Sequence, residues 1–175
     1  MQMQLKVLKL ELFYNSAAAR MFQHDTRYLS PFPAESAEHF SRRLLAWLCL
    51  YELHPALAAQ QAKGPDLYVL DQHQHYQLWC QVDAPNDKLL QKASHQSDHV
   101  LLMLDTLSIA RYLSSHRQQA NVQVCELPDT TVAQCLNMLR AGMQWSVWRD
   151  DLQLQITDGD QMLELDMPQL SVGLH

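Results

Sequence analysis

Residues 65–93, PDLYVLDQHQHYQLWCQVDAPNDKLLQKA, hold the densest run of chemistry-bearing side chains in the sequence. The run reads as two strands, 67–70 and 75–83, around a polar turn at 71–74, with a helix following at once. In the second strand Tyr76, Leu78, Cys80 and Val82 alternate onto an apolar face, leaving His75, Gln77, Trp79, Gln81 and Asp83 on the other. After Pro85, either Asn86 or Asp87 suits the helix cap, and Lys88 and Lys92, four residues apart, share a face beside the inward-facing Leu89, Leu90 and Ala93. Polar groups from all three pieces are thus able to meet on one side, which locates a site without naming its reaction.

Other chemistries find less support. The nine histidines include His73 and His75 in the turn and the pair His95 and His99, but His99 falls past the helix end and no third ligand stands at a zinc-site spacing. Ser41, Ser94 and Ser97 lie in no nucleophile motif, and four glycines in the whole chain leave no phosphate-cradling loop. Cys49, Cys80, Cys125 and Cys135 are widely spaced in apolar runs and read as buried free thiols.

The elements that must position the site follow from periodicity. Residues 5–14 and 21–29 read as strands able to pair as a hairpin, ended by SPFP at 30–33 because proline cannot donate to a ladder. Phe40, Leu44, Trp47, Leu48 and Tyr51 fall at helical spacing within 34–52, with Ser36 as cap. Residues 54–64 read as a connection. The unbroken apolar run 100–104 is a strand covered on both faces, and helices at 107–116 and 130–140 flank a strand at 122–125, with Asp129 as a cap and Gly142 as a helix stop. Strand-like stretches at 145–148, 152–156 and 162–166, with an Asp158-Gly159 turn, return the chain to hairpins. Trp145 and Trp148 fall on opposite faces of one strand, which leaves core packing as the plainer expectation and stacking of an exposed one on a base as the alternative. Alternating strands and helices predict an α/β core in a single domain spanning 1–175, with residues from Pro168 onward loosely held.

Apolar residues at 47% and charged residues at 18% describe an ordinary globular chain. A net charge of −6 gives no general attraction to phosphate backbones or anionic lipid, so any nucleic-acid contact must be local. The start alternates instead of forming a signal-peptide core and no run is long enough to span a bilayer, which predicts a cytoplasmic protein with no membrane partner.

The segments PAESAEHFSRRLLAWL (33–48), PDLYVLD (65–71) and LWCQVDAPNDKLLQKA (78–93) resemble the YaeQ family, a divergent branch of the PD-(D/E)XK, restriction-endonuclease-like nuclease superfamily. The resemblance is strongest over 33–104. It implies an α/β fold with a restriction-endonuclease-like mixed sheet flanked by helices, here with additional N- and C-terminal β-hairpins. Carried over residue by residue, it implies Glu38 as the helix acid, Asp66 as the motif aspartate, Gln81 at the second-strand position and Lys92 as the lysine, with Lys88 one turn earlier as the alternative. A nuclease of this kind holds Mg²⁺ on hard oxygen ligands, here Glu38, Asp66 and Gln81, to activate a water, while the lysine orients that water.

At one position the chain departs from the family, which expects glutamate where Gln81 stands. A neutral carbonyl weakens the hold on a divalent ion; Asp83, two residues along, either compensates or, standing where the superfamily more often has lysine, disrupts the arrangement. Two functions therefore compete: a Mg²⁺-dependent nuclease or phosphodiesterase acting on nucleic acid, and a catalytically degenerate member that binds nucleic acid or a protein. A nuclease should gather Lys63, Lys88, Lys92, Arg42 and Arg43 into a basic rim. The plainer alternatives are an ion pair of Glu38 with Arg42, a turn role for Asp66, and solvated positions for Gln81 and Lys92.

Overall fold

A computed structural model describes residues 7–59, 63–116 and 119–170. Leu5 and Lys6 of the expected first strand lie outside these, as do residues 60–62 of the expected connection and the last five of the chain. The elements are β1 (Leu8–Ser16), β2 (Met21–Leu29), α1 (Ala37–Cys49), a 3₁₀ turn (Tyr51–Leu53), β3 (Ala56–Leu57), β4 (Leu67–Leu70), β5 (Tyr76–Gln81), α2 (Asp87–Gln96), β6 (Ser97–Leu104), α3 (Thr106–Ser115), β7 (Val122–Glu126), α4 (Asp129–Met138), β8 (Gly142–Arg149), β9 (Gln153–Thr157) and β10 (Met162–Asp166). The strands form two five-stranded sheets in an α/β protein, and the chain divides into two compact units, 1–41 with 130–167 and 42–129 with 168–175. Among the described residues no helix is long and apolar enough to cross a membrane.

The first unit is built on the sheet β10-β9-β8-β1-β2. The strict alternation of β1 gives it one buried face, Leu8, Leu10, Leu12 and Tyr14, which continues through Trp145, Val147, Leu154 and Ile156. The N-terminal hairpin pairs from Leu8 with Leu29 to Ser16 with Met21, and β1 also runs parallel to β8, Lys9 against Gly142 through Ser16 against Arg149. The terminal hairpins expected separately are therefore one sheet. Gly142, expected as a helix stop, is instead the first residue of β8, since α4 ends earlier at Met138.

In the second unit the order is β3-β4-β5-β6-β7, with β3 to β5 antiparallel and β5, β6 and β7 parallel, linked by the crossover helices α2 and α3. Asn86 caps α2 by accepting from Leu89 N at 2.8 Å, and Asp105 caps α3 by accepting from Ser108 N at 2.8 Å. Ser36 likewise accepts from His39 N at 3.0 Å in the first turn of α1. The expected connection 54–64 contains the short edge strand β3.

The polar face expected on β5 is corrected. Trp79 is 1% exposed and packs with Leu90, Ala93, Val100, Leu102, Leu104 and Tyr112, while Leu78 and Cys80 on the opposite face are buried as well. A period of two separates faces but does not say that either is wet, and β5 lies between β4 and β6 in the middle of its sheet. The second half of α1, Leu44 to Cys49, is also buried all round.

The Asp158-Gly159 turn has Asp158 Oδ1 accepting from Asp160 N and Gln161 N at 2.9 and 2.8 Å, with Gly159 at φ 98°. A Cβ added at Gly159 meets nothing within 4 Å, so the expected cost of Gly159→Ala is backbone strain alone, about 1 kcal/mol, read as a lower urea midpoint with an unchanged slope.

Candidate functional site

Three of the four expected site residues converge on one corner of the second unit, where the chain enters β4 and leaves β5. Asp66 and Gln81 flank the paired residues Leu67 and Cys80 and are each 6% exposed. The Asp66 carboxylate accepts from Val82 N at 2.8 Å, and the Gln81 amide returns the favour by donating to Gly64 O at 2.8 Å. Lys92, exposed on α2, donates from Nζ to Lys63 O at 2.7 Å. The stretch 63–66 is thereby clasped to the end of β5 and to α2 by the side chains expected to bear the chemistry. The fourth, Glu38, lies in the first unit, exposed on the first turn of α1. Asp83 is exposed just beyond β5, and Lys88 is exposed on the first turn of α2.

The electrostatics of the corner follow from burial. The Cys80 thiol is pushed well above its ordinary range, chiefly by burial and next by the Asp66 carboxylate, and Cys49 of α1 is close enough to add to the effect. Cys135 is pushed up to about 12 by burial. None of the four cysteines is in a disulfide, and thiols held protonated as those of Cys80 and Cys135 are do not act as nucleophiles.

Sequence reasoning leaves unseen what the two arginines of α1 do. Arg42 Nη2 reaches Asp129 Oδ1 at 2.7 Å and Asp105 Oδ2 at 3.3 Å, and its Nη1 donates to Val82 O at 3.4 Å. It thus ties together the carboxyl-terminal ends of three parallel strands, the end of a sheet at which α/β proteins place their ligands. Arg43 is 1% exposed and donates to Ala58 O at 3.3 Å. With Lys92 bound to Lys63 O as well, three of the five cations expected in a basic rim, Arg42, Arg43 and Lys92, are bonded to carboxylates and backbone carbonyls, while Lys63 and Lys88 are exposed. A local clue did exist: Arg43 directly precedes the apolar helical run LLAWL, and an arginine buried with such a run needs acceptors in the interior.

Magnesium asks for several hard oxygen donors around one point. Among the described residues no three histidine, cysteine, aspartate or glutamate side chains stand close enough to hold a metal ion. One Asp66 oxygen already takes the Val82 N–H, and Gln81 turns its donor group into the corner. The donor set therefore fits a divalent ion poorly. A Ser115, His116, Asp87 line also occurs, with Ser115 Oγ 3.1 Å from His116 Nδ1 and His116 Nε2 2.7 Å from Asp87 Oδ1. It does not make a nucleophile: Ser115 Oγ donates to Arg111 O at 2.7 Å, and His116 Nδ1 faces Tyr112 O at 3.2 Å, an acceptor that calls for a protonated nitrogen.

Two outcomes follow. Asp66→Ala leaves the Val82 N–H buried without that acceptor and is expected to cost about 1–3 kcal/mol by urea unfolding, whereas Asp66→Asn, which keeps a carbonyl oxygen, costs less. The Asp105 carboxyl is held below the usual carboxylate range first by Ser108 N–H, then by the Ser108 hydroxyl and the Arg42 guanidinium. Its contribution is complete above the unfolded-state value of about 3.9 and is lost as pH falls through the lower folded value. Asp105→Asn should flatten the acid limb of a stability-against-pH curve.

The YaeQ protein family matches residues 1–167. Among solved structures, the chain is similar to the YaeQ protein from Xanthomonas axonopodis pv. citri, with a TM-score of 0.77 at 18% identity over 96% of this chain and 98% of that one. It is similar also to the YaeQ protein from Pseudomonas syringae, with a TM-score of 0.81 at 17% identity over 97% of each chain. No curated protein matches. With a family match covering nearly its whole length, the chain belongs to the YaeQ family.

Proposed function

We propose that this YaeQ protein is a catalytically degenerate relative of the PD-(D/E)XK nucleases, one that binds nucleic acid without cutting it. The observation that carries the reading is the clasp: Gln81 and Lys92, at the positions where the resemblance implies a metal ligand and a water-orienting lysine, both donate to backbone carbonyls of 63 and 64. A lysine so bound is held away from a scissile phosphate, and an amide contributes no negative charge to a divalent ion. The arginines of α1 add to the case, since Arg42 is bonded to two carboxylates and Val82 O, and Arg43 donates to Ala58 O. Favouring the active alternative is the adjacency of Asp66 and Gln81, which puts a carboxylate and an amide oxygen-bearing group at one corner.

Differential scanning of the parent and of Gln81→Glu, with and without Mg²⁺ or Mn²⁺, separates the two. The parent should show no metal-dependent rise in Tm and leave oligonucleotides intact. Gln81→Glu should lose about 1–3 kcal/mol in metal-free buffer, because a buried carboxylate replaces the donor to Gly64 O, and should regain stability when Mn²⁺ is added. Saturable Mg²⁺ binding by the parent, abolished in Asp66→Ala and accompanied by strand cleavage, would establish the nuclease instead.

A further inference from the structure

The sheet of the first unit has a second face, opposite the one that buries Trp145, and it carries aromatic side chains in an unusual arrangement. Phe22 of β2 and Trp148 of β8 are both register partners of Asn15 on the intervening β1. They therefore project from the same face with one strand between them, and they are 65% and 45% exposed. Single exposed apolar residues need no explanation, but two aromatic side chains on one face with a single strand between them leave a slot for a flat ligand. Two strand spacings set their backbones about 10 Å apart. A planar ring in contact with a partner on each side needs about 7 Å between those partners, which side chains leaning from such backbones can supply.

The slot opens into a hollow of about 490 Å³ whose lining includes Arg20, Arg149, Asn15 and Gln155. Asn15 forms the floor, its Nδ2 donating to Val147 O at 3.3 Å, so that its carbonyl oxygen is oriented by that bond. Arg20 sits at the end of the β1–β2 turn, and Arg149 follows Trp148 on β8. The only acid lining the hollow among the described residues is Asp150, whose Oδ1 accepts from Leu152 N and Gln153 N at 2.8 and 2.7 Å and so serves its own turn. Both signs of charge border the hollow, Arg20 and Arg149 against Asp150, with the Glu164 carboxylate 3.2 Å from Gln155 Nε2.

We infer that this face binds single-stranded nucleic acid, with an unpaired base held between Phe22 and Trp148 and an adjoining phosphate met by Arg20. Each feature matches a part of that ligand. A base offers two flat faces to two rings, Asn15 offers an amide oxygen to its edge, and Arg20 answers a phosphate. A duplex is a poor fit, because its bases are already stacked on one another. The inference shares the ligand class of the proposed function but uses none of the residues on which that reading stands.

Trp47, Trp79 and Trp145 are buried, so the response of tryptophan fluorescence to added ligand reports on Trp148. Oligothymidylate should quench it saturably, and the same strand annealed to oligoadenylate should not. By anisotropy of a labelled strand, Trp148→Ala and Phe22→Ala should each weaken binding by about fivefold or more, and Arg20→Ala should reduce the slope of log affinity against log salt by about 0.7. Both aromatic residues are exposed, so circular dichroism should find these variants folded. Binding of the single strand unchanged in both aromatic variants would overturn the inference while leaving nucleic-acid binding elsewhere on the protein. No binding of any oligonucleotide would overturn both readings. Equal affinity for the duplex would refute base stacking, and a dimer by sedimentation that dissociates on Trp148→Ala would assign the face to a second copy of the chain.

Discussion

The reciprocal bonds between residues 63–66 and the end of β5 are what the geometry of the candidate site depends on. Asp66 and Val82, and Gln81 and Gly64, exchange hydrogen bonds across the point where β4 begins and β5 ends. Both side chains are buried, and a buried polar group left without a partner costs far more than the modest net gain of a bond that is made. The corner therefore holds together as a unit. Removing one member frees a loop, exposes an unanswered backbone group and shifts the neighbouring residues at which any ligand would be held.

Around that corner the second unit is organised by the burial of β5 on both faces. Trp79 packs on one side with Leu90 and Ala93 of α2 and Tyr112 of α3, while Cys80 on the other side lies close enough to Cys49 of α1 for the two thiols to influence one another. A strand covered on both sides leaves only its ends for contact with solvent or ligand. At the carboxyl-terminal end of the parallel strands, Arg42 joins Val82 O to Asp105 and Asp129, the residues that follow β6 and open α4. Asp105 at the same time caps α3 through Ser108. One arginine and one aspartate thus link helix capping, strand ends and the ion-pair network, and the residues best placed to face a ligand are already committed to the architecture.

Much of the scaffold is legible in the sequence because it rests on local rules. The alternation of LKLELFYN fixes β1 and its buried face, Asp158-Gly159 fixes a turn whose glycine adopts φ 98°, and the continuous run VLLML fixes a strand covered on both sides. Asn86 and Ser36 act as the caps that their residue types suggest. What is not legible is set by pairings distant in sequence. Nothing local to β1 announces a parallel partner more than 130 residues later, and alternation in β5 cannot tell a solvated polar face from one where Trp79 is packed against a helix. At the site, the spacing brings Asp66, Gln81 and Lys92 to one corner but does not say what they bond to there; the acceptors are backbone carbonyls, which carry no signature in the sequence.

The same accounting explains why glutamine is stable at position 81. A glutamate there, 6% exposed, would face Gly64 O with an acceptor where a donor is needed, and would carry a charge whose desolvation only a bound cation or a raised pKa could offset. Glutamine carries no charge and sets a donor against Gly64 O, so the corner is satisfied without a cation. The face bearing Phe22, Asn15 and Trp148 does not depend on that corner, because it belongs to a different sheet whose register is set by β1 with its two neighbours.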